Sequence, residues 1–168
     1  MRLGNRVALI AGGAGSMGSA VARLFAQEGA AVCVADRDEE GARETARTIV
    51  DSGGQSMSVA LDVCDAQVWD EAVNATEKTY GRLDLMVNLS GSNVRVGFEE
   101  QTEAMWRSII DVNLTSCFIG IKSVVPAMRR AGRGAILLVG SLASIRQGVG
   151  SPAYGVSKAG LVALTRSA

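Results

Sequence analysis

The sequence contains no histidine, so imidazole acid–base catalysis is excluded and most zinc sites lose their usual ligand. Aromatic residues make up 4% of the chain and prolines number two, which leaves a core built on aliphatic side chains. Three cysteines, Cys33, Cys64 and Cys117, lie scattered without CxxC spacing, an odd set expected to be buried reduced thiols rather than a disulfide or metal centre. Neither charge sign dominates: Lys plus Arg and Asp plus Glu are 17 each, and no basic block points to nucleic acid or a membrane surface. No apolar run approaches the roughly 20 residues of a membrane span, and the run Val7 to Ala11 is too short for a signal peptide. The expected compartment is the cytoplasm.

What is present is an alternation. Five short apolar runs, Val7 to Ala11, Ala31 to Ala35, Ser58 to Val63, Leu83 to Leu89 and Ala135 to Val139, read as buried parallel strands. Between them lie helical patterns. Met17 to Glu28 carries Val21, Leu24 and Phe25, and Glu39 to Asp51 carries Ala42, Ala46, Ile49 and Val50; glycines follow both. Asp65 caps a third helix with Val68, Ala72 and Val73 inward, and a fourth helical region holds Trp106, Ile109 and Ile110. A long fifth helix runs from Leu114 through Cys117, Phe118, Ile121, Val124 and Val125 to Met128, with Pro126 bending it and Gly132 ending it. The pattern predicts an α/β doubly wound parallel sheet, Rossmann-like, in one domain over residues 1–168, with its ligand site at the strands' carboxyl ends.

Two stretches carry chemistry. The first is AGGAGSMG, Ala11 to Gly18, between the first strand and its helix. Gly13, Gly15 and Gly18 spell GxGxxG, where small residues let the backbone turn toward a pyrophosphate and the helix N-terminus offers free N–H groups. Asp36, eighteen residues after Gly18, closes the second strand where an acidic side chain would accept from ribose hydroxyls and repel a 2′-phosphate. NAD is therefore expected over NADP, an inference that the neighbouring Arg37 weakens slightly.

The second stretch is Ser141 to Lys158, in which Ser141 precedes Tyr154 by thirteen residues and Tyr154 precedes Lys158 by four. Positions i and i+4 share a helix face, and Ser151 and Pro152 suit the start of that helix. A tyrosine normally titrates near pH 10, so bringing it to about 7 needs roughly 4 kcal/mol of phenolate stabilisation, of which a lysine one turn away could supply much. Gly155 and Ser157 between them are small enough to admit a flat ligand. Short motifs also match by accident, and an ordinary surface helix can carry the same pair.

With both stretches in order on one α/β pattern, the sequence resembles the classical short-chain dehydrogenase/reductase family over essentially its whole length. The family's TGxxxGxG turn aligns with Ala11, Gly12, Ser16 and Gly18, so that Ala replaces Thr, Ser replaces the middle Gly, and Gly15 sits one place early with Met17 following Ser16. The resemblance implies that Asp62 and Val63 contact adenine, that Asn88, Leu89, Ser90 and Gly91 stand for the family's NNAG, and that Asn113 in DVNLTS is its catalytic Asn. It implies further that Tyr154 is the general acid/base for interconverting a secondary alcohol and a ketone. Lys158 would bond the nicotinamide ribose, Ser141 would hold the substrate oxygen, and Asn113 would support a water-linked proton path. Candidate substrates are a hydroxysteroid, cyclic alcohol, sugar or 3-oxoacyl thioester. The chain ends within the final helix, so the sheet is expected to be incomplete at its C-terminal end, with the substrate-covering region absent. A dinucleotide-binding module without turnover is the alternative. By the same resemblance the full-length protein would be a homodimer or homotetramer acting on a small molecule.

Overall fold

The computed structural model describes residues 1–146 and 150–167. Its centre is a parallel sheet of β1 (Val7–Ala11), β2 (Ala31–Asp36), β3 (Gln55–Ala60), β4 (Leu85–Asn88) and β5 (Ala135–Leu138), in the order β3-β2-β1-β4-β5. β1 and β2 are buried along almost their whole length because helices cover both faces, as expected for parallel strands reached by crossovers. The helices α1 (Ser16–Gln27) and α2 (Glu39–Asp51) pack on one face around Ile10, Val32, Val34, Ala42 and Ile49. On the other face, α3 (Ala66–Tyr80) and α5 (Ser116–Arg130) close over Leu9, Cys33, Met86, Val124 and Met128. The remaining helices are α4 (Glu103–Ile110) and α6 (Pro152–Ser167).

Local chemistry accounts for the helix ends. Asp38 accepts from the Gly41 N–H at the start of α2, Asp65 accepts from Gln67 and Val68 at the start of α3, and Thr102 accepts from Met105 at the start of α4. The Ser151 hydroxyl accepts from the Tyr154 N–H at 3.4 Å, as expected for the cap of α6. Gly132, in the left-handed region at φ 73°, turns the chain out of α5.

Several expectations need correcting. β3 lies three residues earlier than Ser58 to Val63, because Leu61 and Val63 carry the apolar pattern past the strand's end into the connection above it. As an edge strand, β3 is only half-buried. Leu24, Val50 and Phe118 face outward at 48%, 51% and 55% exposure instead of joining their helices' inner stripes. Trp69, absent from the expected core, is fully buried; its ring lies against Gly120 and its Nε1 donates to the Val63 carbonyl at 3.0 Å. Cys64 is exposed, whereas Cys33 and Cys117 are buried, and burial pushes the Cys33 thiol up to about 11.

The fourth and fifth helical regions are one continuous rod, Glu103–Arg130, joined through a π turn at Asp111–Thr115. That rod is 28 residues long and contains an 18-residue window of mean hydropathy 1.4, so it is long and apolar enough to cross a membrane by length and composition alone. Its inward stripe of Cys117, Val124, Ala127 and Met128 is engaged with the sheet and α3.

Candidate functional site

The sheet's crossover direction reverses between β1 and β4, and the connections above the strands' carboxyl ends part there to leave a crevice. A cleft of about 330 Å³ opens at this point. Gly12 and Gly15 line it from the turn after β1, Asp36 and Arg37 from the end of β2, Asp62 and Val63 from the turn after β3, and Gly91 from the loop after β4. Seven residues singled out in the sequence are thus brought to one surface.

Backbone geometry makes this cleft. Gly12 has φ 78°, and a Cβ there would lie 2.8 Å from the Ser90 N and 2.9 Å from the Leu89 carbonyl carbon, so only glycine fits between the two loops. A Cβ on the buried Gly18 would strike the Gly12 carbonyl, with its carbon 2.7 Å away. Gly15 is different: its Cβ position is nearly open, with the Gly12 oxygen at 3.4 Å. The turn therefore depends on Gly12 and Gly18, the two glycines that the TGxxxGxG alignment shares, more than on the middle glycine of GxGxxG.

α1 starts at Ser16 with no side-chain cap on Gly15, which leaves its first N–H groups facing the cleft's end. Ser16 and Met17 are exposed in that first turn. Bare N–H donors, a positive dipole end and a cradle that a Cβ would fill are a donor set that fits a dinucleotide's pyrophosphate. Asp36 Oδ2 accepts from the Ala14 N–H at 3.0 Å and Oδ1 from the Asp38 N–H at 3.0 Å, so the carboxylate braces the glycine turn as well as facing the cleft.

Asn88 does not reach the cleft surface. It is buried beneath, where Oδ1 accepts from the Ser90 N–H at 3.0 Å and from the Ser90 hydroxyl at 2.5 Å, fixing the loop that carries Gly91. Leu89 and Ser90, the middle of the stretch aligned with NNAG, line the cleft as well, whereas Leu61, Ser92, Ser108 and Val112 line it without having been anticipated. The spacing of Ser108 and Val112 by four residues on one helix face was the available signal.

The second group lies on α6 and its neighbours. Lys158, 6% exposed, places its ammonium 5.8 Å from the centroid of the Tyr154 ring and donates to the Val139 carbonyl at 2.8 Å. Val139 follows β5, and Ser141 stands two residues later at the start of a 3-10 turn that packs on α6. The Ser141 hydroxyl accepts from the Ala143 N–H at 3.1 Å, and no hydrogen bond joins it to Tyr154 among the described residues. Residues 147–149, within the Ser141 to Lys158 stretch, lie outside the described residues.

Asn113 is fully buried in the π turn. The turn arises because the Ser116 N–H donates to Asp111 five residues back, and the freed Val112 carbonyl accepts instead from the Ser116 hydroxyl at 2.6 Å. Asn113 Nδ2 donates to the Ser92 carbonyl at 2.8 Å and to Ser157 Oγ at 3.1 Å, and Oδ1 accepts from the Ser92 N–H at 2.7 Å. Ser157 is itself buried and turned toward Asn113, so it is not the open small residue expected to admit a flat ligand.

The short chain dehydrogenase family matches residues 6–168. The chain is 36% identical over 167 residues to 2,5-dichloro-2,5-cyclohexadiene-1,4-diol dehydrogenase LinX of Sphingobium indicum, covering 99% of this chain and 67% of that protein. It is 37% identical over 172 residues to trans-4-hydroxycyclohexanecarboxylate dehydrogenase of Sinomonas cyclohexanicum, covering 99% and 66%. Identity to the 3-alpha-(or 20-beta)-hydroxysteroid dehydrogenase of Mycobacterium tuberculosis is 35% over 167 residues, covering 99% and 63%. The crystal structure of gox2181 superposes with a TM-score of 0.94 at 32% identity, over 99% of this chain and 66% of that one. The chain thus spans about two thirds of the length of these relatives. Matched along nearly all of its own length by a family whose members here are named dehydrogenases, and folded as its solved relative is, the chain belongs to the short-chain dehydrogenase family.

Proposed function

We propose that the chain carries the nucleotide-binding and catalytic residues of an NAD(H)-dependent oxidoreductase that interconverts a secondary alcohol and a ketone. The observation that carries this reading is the cleft at the sheet's carboxyl end, where Gly12, Gly15, Asp36, Arg37, Asp62, Val63 and Gly91 meet. The α1 N-terminus and the glycine turn would take the pyrophosphate, Asp36 the adenosine ribose, and Asp62 and Val63 the adenine. A carboxylate at the end of β2 disfavours a 2′-phosphate, which supports NAD over NADP.

When bound, the nicotinamide accepts or returns the hydride. The chain's own part is to orient the alcohol and to move its proton. Ser141 would hold the substrate oxygen, and Tyr154 would take the hydroxyl proton in oxidation and give it back in reduction. Lys158 supplies a cation beside the Tyr154 ring and a donor for the ribose. Asn113 would act by tying its π turn to Ser92 and Ser157 rather than through a free amide, since both of its N–H groups are engaged.

Two of the relatives described above are named for hydroxyl groups on a six-membered carbocycle and the third for steroid hydroxyls, which supports a secondary alcohol on a carbocyclic skeleton as the substrate class over an acyl thioester. The free, buried Cys33 and Cys117 fit a reducing compartment such as the cytoplasm. Phe118 on α5 and Val156 and Val162 on α6 are exposed apolar side chains that fit helix pairing between subunits of a homodimer or homotetramer, a state that light scattering would read directly.

Titration of the chain with NADH and NADPH by fluorescence at matched salt tests the reading. NADH should bind more tightly than NADPH, and Tyr154→Phe should leave NADH binding in place. In the same variant, NAD-dependent oxidation of trans-4-hydroxycyclohexanecarboxylate, used as probe, should fall about 10²- to 10⁴-fold. A folded chain that binds neither nucleotide would overturn the proposal.

A further inference from the structure

A buried amide side chain needs partners for two N–H groups and one carbonyl. Asn113 finds all three on two residues: the Ser92 backbone, gripped by both its N–H and its carbonyl, and the Ser157 hydroxyl. Ser157 in turn donates to the Tyr154 carbonyl one turn earlier on α6, at 2.8 Å. Such a back-bond is common for a helical serine, but its oxygen here also accepts from Asn113, a residue 44 positions away in the chain. Ser92 lines the nucleotide cleft. A continuous path of hydrogen bonds therefore runs from the cleft wall through the π turn to the helix bearing Tyr154 and Lys158.

We propose that Ser157 is a positioning residue: its hydroxyl holds the Asn113 amide, and through it the Ser92 backbone at the cleft wall, in register with Tyr154 on α6. The functional part of this proposal rests on the reading of the cleft as a nucleotide site. Replacing Ser157 with alanine leaves one Asn113 N–H without a partner in a place where water has no access, so the amide loses the anchor that keeps it square to Ser92. Gly91 and Ser92 then gain freedom where the nucleotide would lie.

The test compares amide hydrogen exchange by NMR with NADH titration in the 168-residue chain. Ser157→Ala should speed exchange of the Ser92 N–H by about tenfold relative to Ile10 in β1, the effect of losing one buried hydrogen bond at that place and not throughout the fold. NADH affinity should fall about threefold or more. Ser157→Thr, which keeps the hydroxyl, should restore both. Should Ser157→Ala lose helical circular dichroism, the isosteric pair Ser157→Thr and Ser157→Val makes the same comparison, with faster Ser92 exchange expected in the valine variant. Wild-type exchange at Ser92, a speeding shared equally by Ile10, or faster Ser92 exchange with unchanged NADH affinity overturns the proposal. If the wild-type chain binds no NADH, the nucleotide reading fails by itself, and the exchange comparison still decides whether Ser157 holds Asn113.

Discussion

Asp36 closes β2 at the carboxyl end of the sheet, and Asp84 sits just before β4 at its amino end. Both carboxylates accept from backbone N–H groups, Asp36 from Ala14 and Asp38 and Asp84 from Val7 at 2.9 Å. Beyond that they are used in opposite ways. Asp84 is 2% exposed and ringed by guanidinium groups: Arg82 at 2.6 Å, Arg133 at 2.7 Å and Arg6 at 4.0 Å. Asp36 is half-buried, faces a cleft, and has no ion pair among the described residues although Arg37 is adjacent. A carboxylate whose charge is consumed inside the fold stabilises it. One whose charge is left toward a cleft remains available to a ligand.

Removing the locked carboxylate should have the largest effect on stability. Asp84→Ala strands the Val7 N–H and leaves three arginines facing one another, and should cost about 3 kcal/mol, the low end for a broken buried pair because the guanidinium groups keep solvent access. Urea denaturation measures this, and the NADH to NADPH preference of the folded protein should stay unchanged. The pH dependence has a definite sign. Burial alone would raise the Asp84 carboxyl, but hydrogen bonds from Arg82, Arg133 and the Val7 N–H outweigh it and hold the group below its ordinary value of 3.8. Its contribution is therefore fully present above that value and is lost as pH falls through the lowered one. Asp84→Asn should flatten the stability curve below about pH 4.

At the opposite end, steric room in the backbone is what can be broken. Gly18→Ala pushes a methyl group into the Gly12 carbonyl and should cost about 1–3 kcal/mol while abolishing NADH binding, because the turn must open to relieve the clash. Asp36→Ser should cost less stability but move specificity. NADH affinity should drop roughly tenfold or more, from the lost ribose acceptor and from the loss of the brace on Ala14. NADPH should weaken less, so the ratio shifts toward NADPH. Equal weakening of both nucleotides would mean that Asp36 acts only as a brace on the turn, and the contrast with Asp84 would collapse.

How much of this could be read in advance follows the same division. Apolar runs, caps and glycines located β1 and α2 to the residue and the cleft residues Gly12, Asp36, Asp62 and Gly91 by motif, because those features are local. Interactions between distant parts of the chain were not legible. Asp84 attracted no notice, since its arginine partners on either side include Arg133, 49 residues away. The π turn left no pattern, because its cause is a shift of hydrogen bonds within an unbroken helix. Ser157 looked like open space beside Tyr154, and only the fold brings Asn113 against it. β3 was misplaced because Leu61 and Val63 continue its alternation into the turn that lines the cleft.

The smallest effect concerns Ser16, which stands where the family's turn has its middle glycine. If its Cβ crowded the pyrophosphate, the carboxyl end of the sheet would be a degraded site, and Asp36 would face a cleft with no ligand to serve. Ser16 is exposed in the first turn of α1, with its hydroxyl making no hydrogen bond among the described residues and its carbonyl accepting from the Ser19 hydroxyl at 3.3 Å. The tight contacts of the turn belong to Gly12, Gly13 and Gly18 instead. Ser16→Gly should therefore change stability by no more than about 0.5 kcal/mol, as for an exposed substitution away from packed contacts. NADH affinity should change less than about threefold, which corresponds to a similar free energy. A tightening of tenfold or more on fluorescence titration would instead identify the serine as an obstruction, and the intact Asp36 as the surviving half of an impaired nucleotide site.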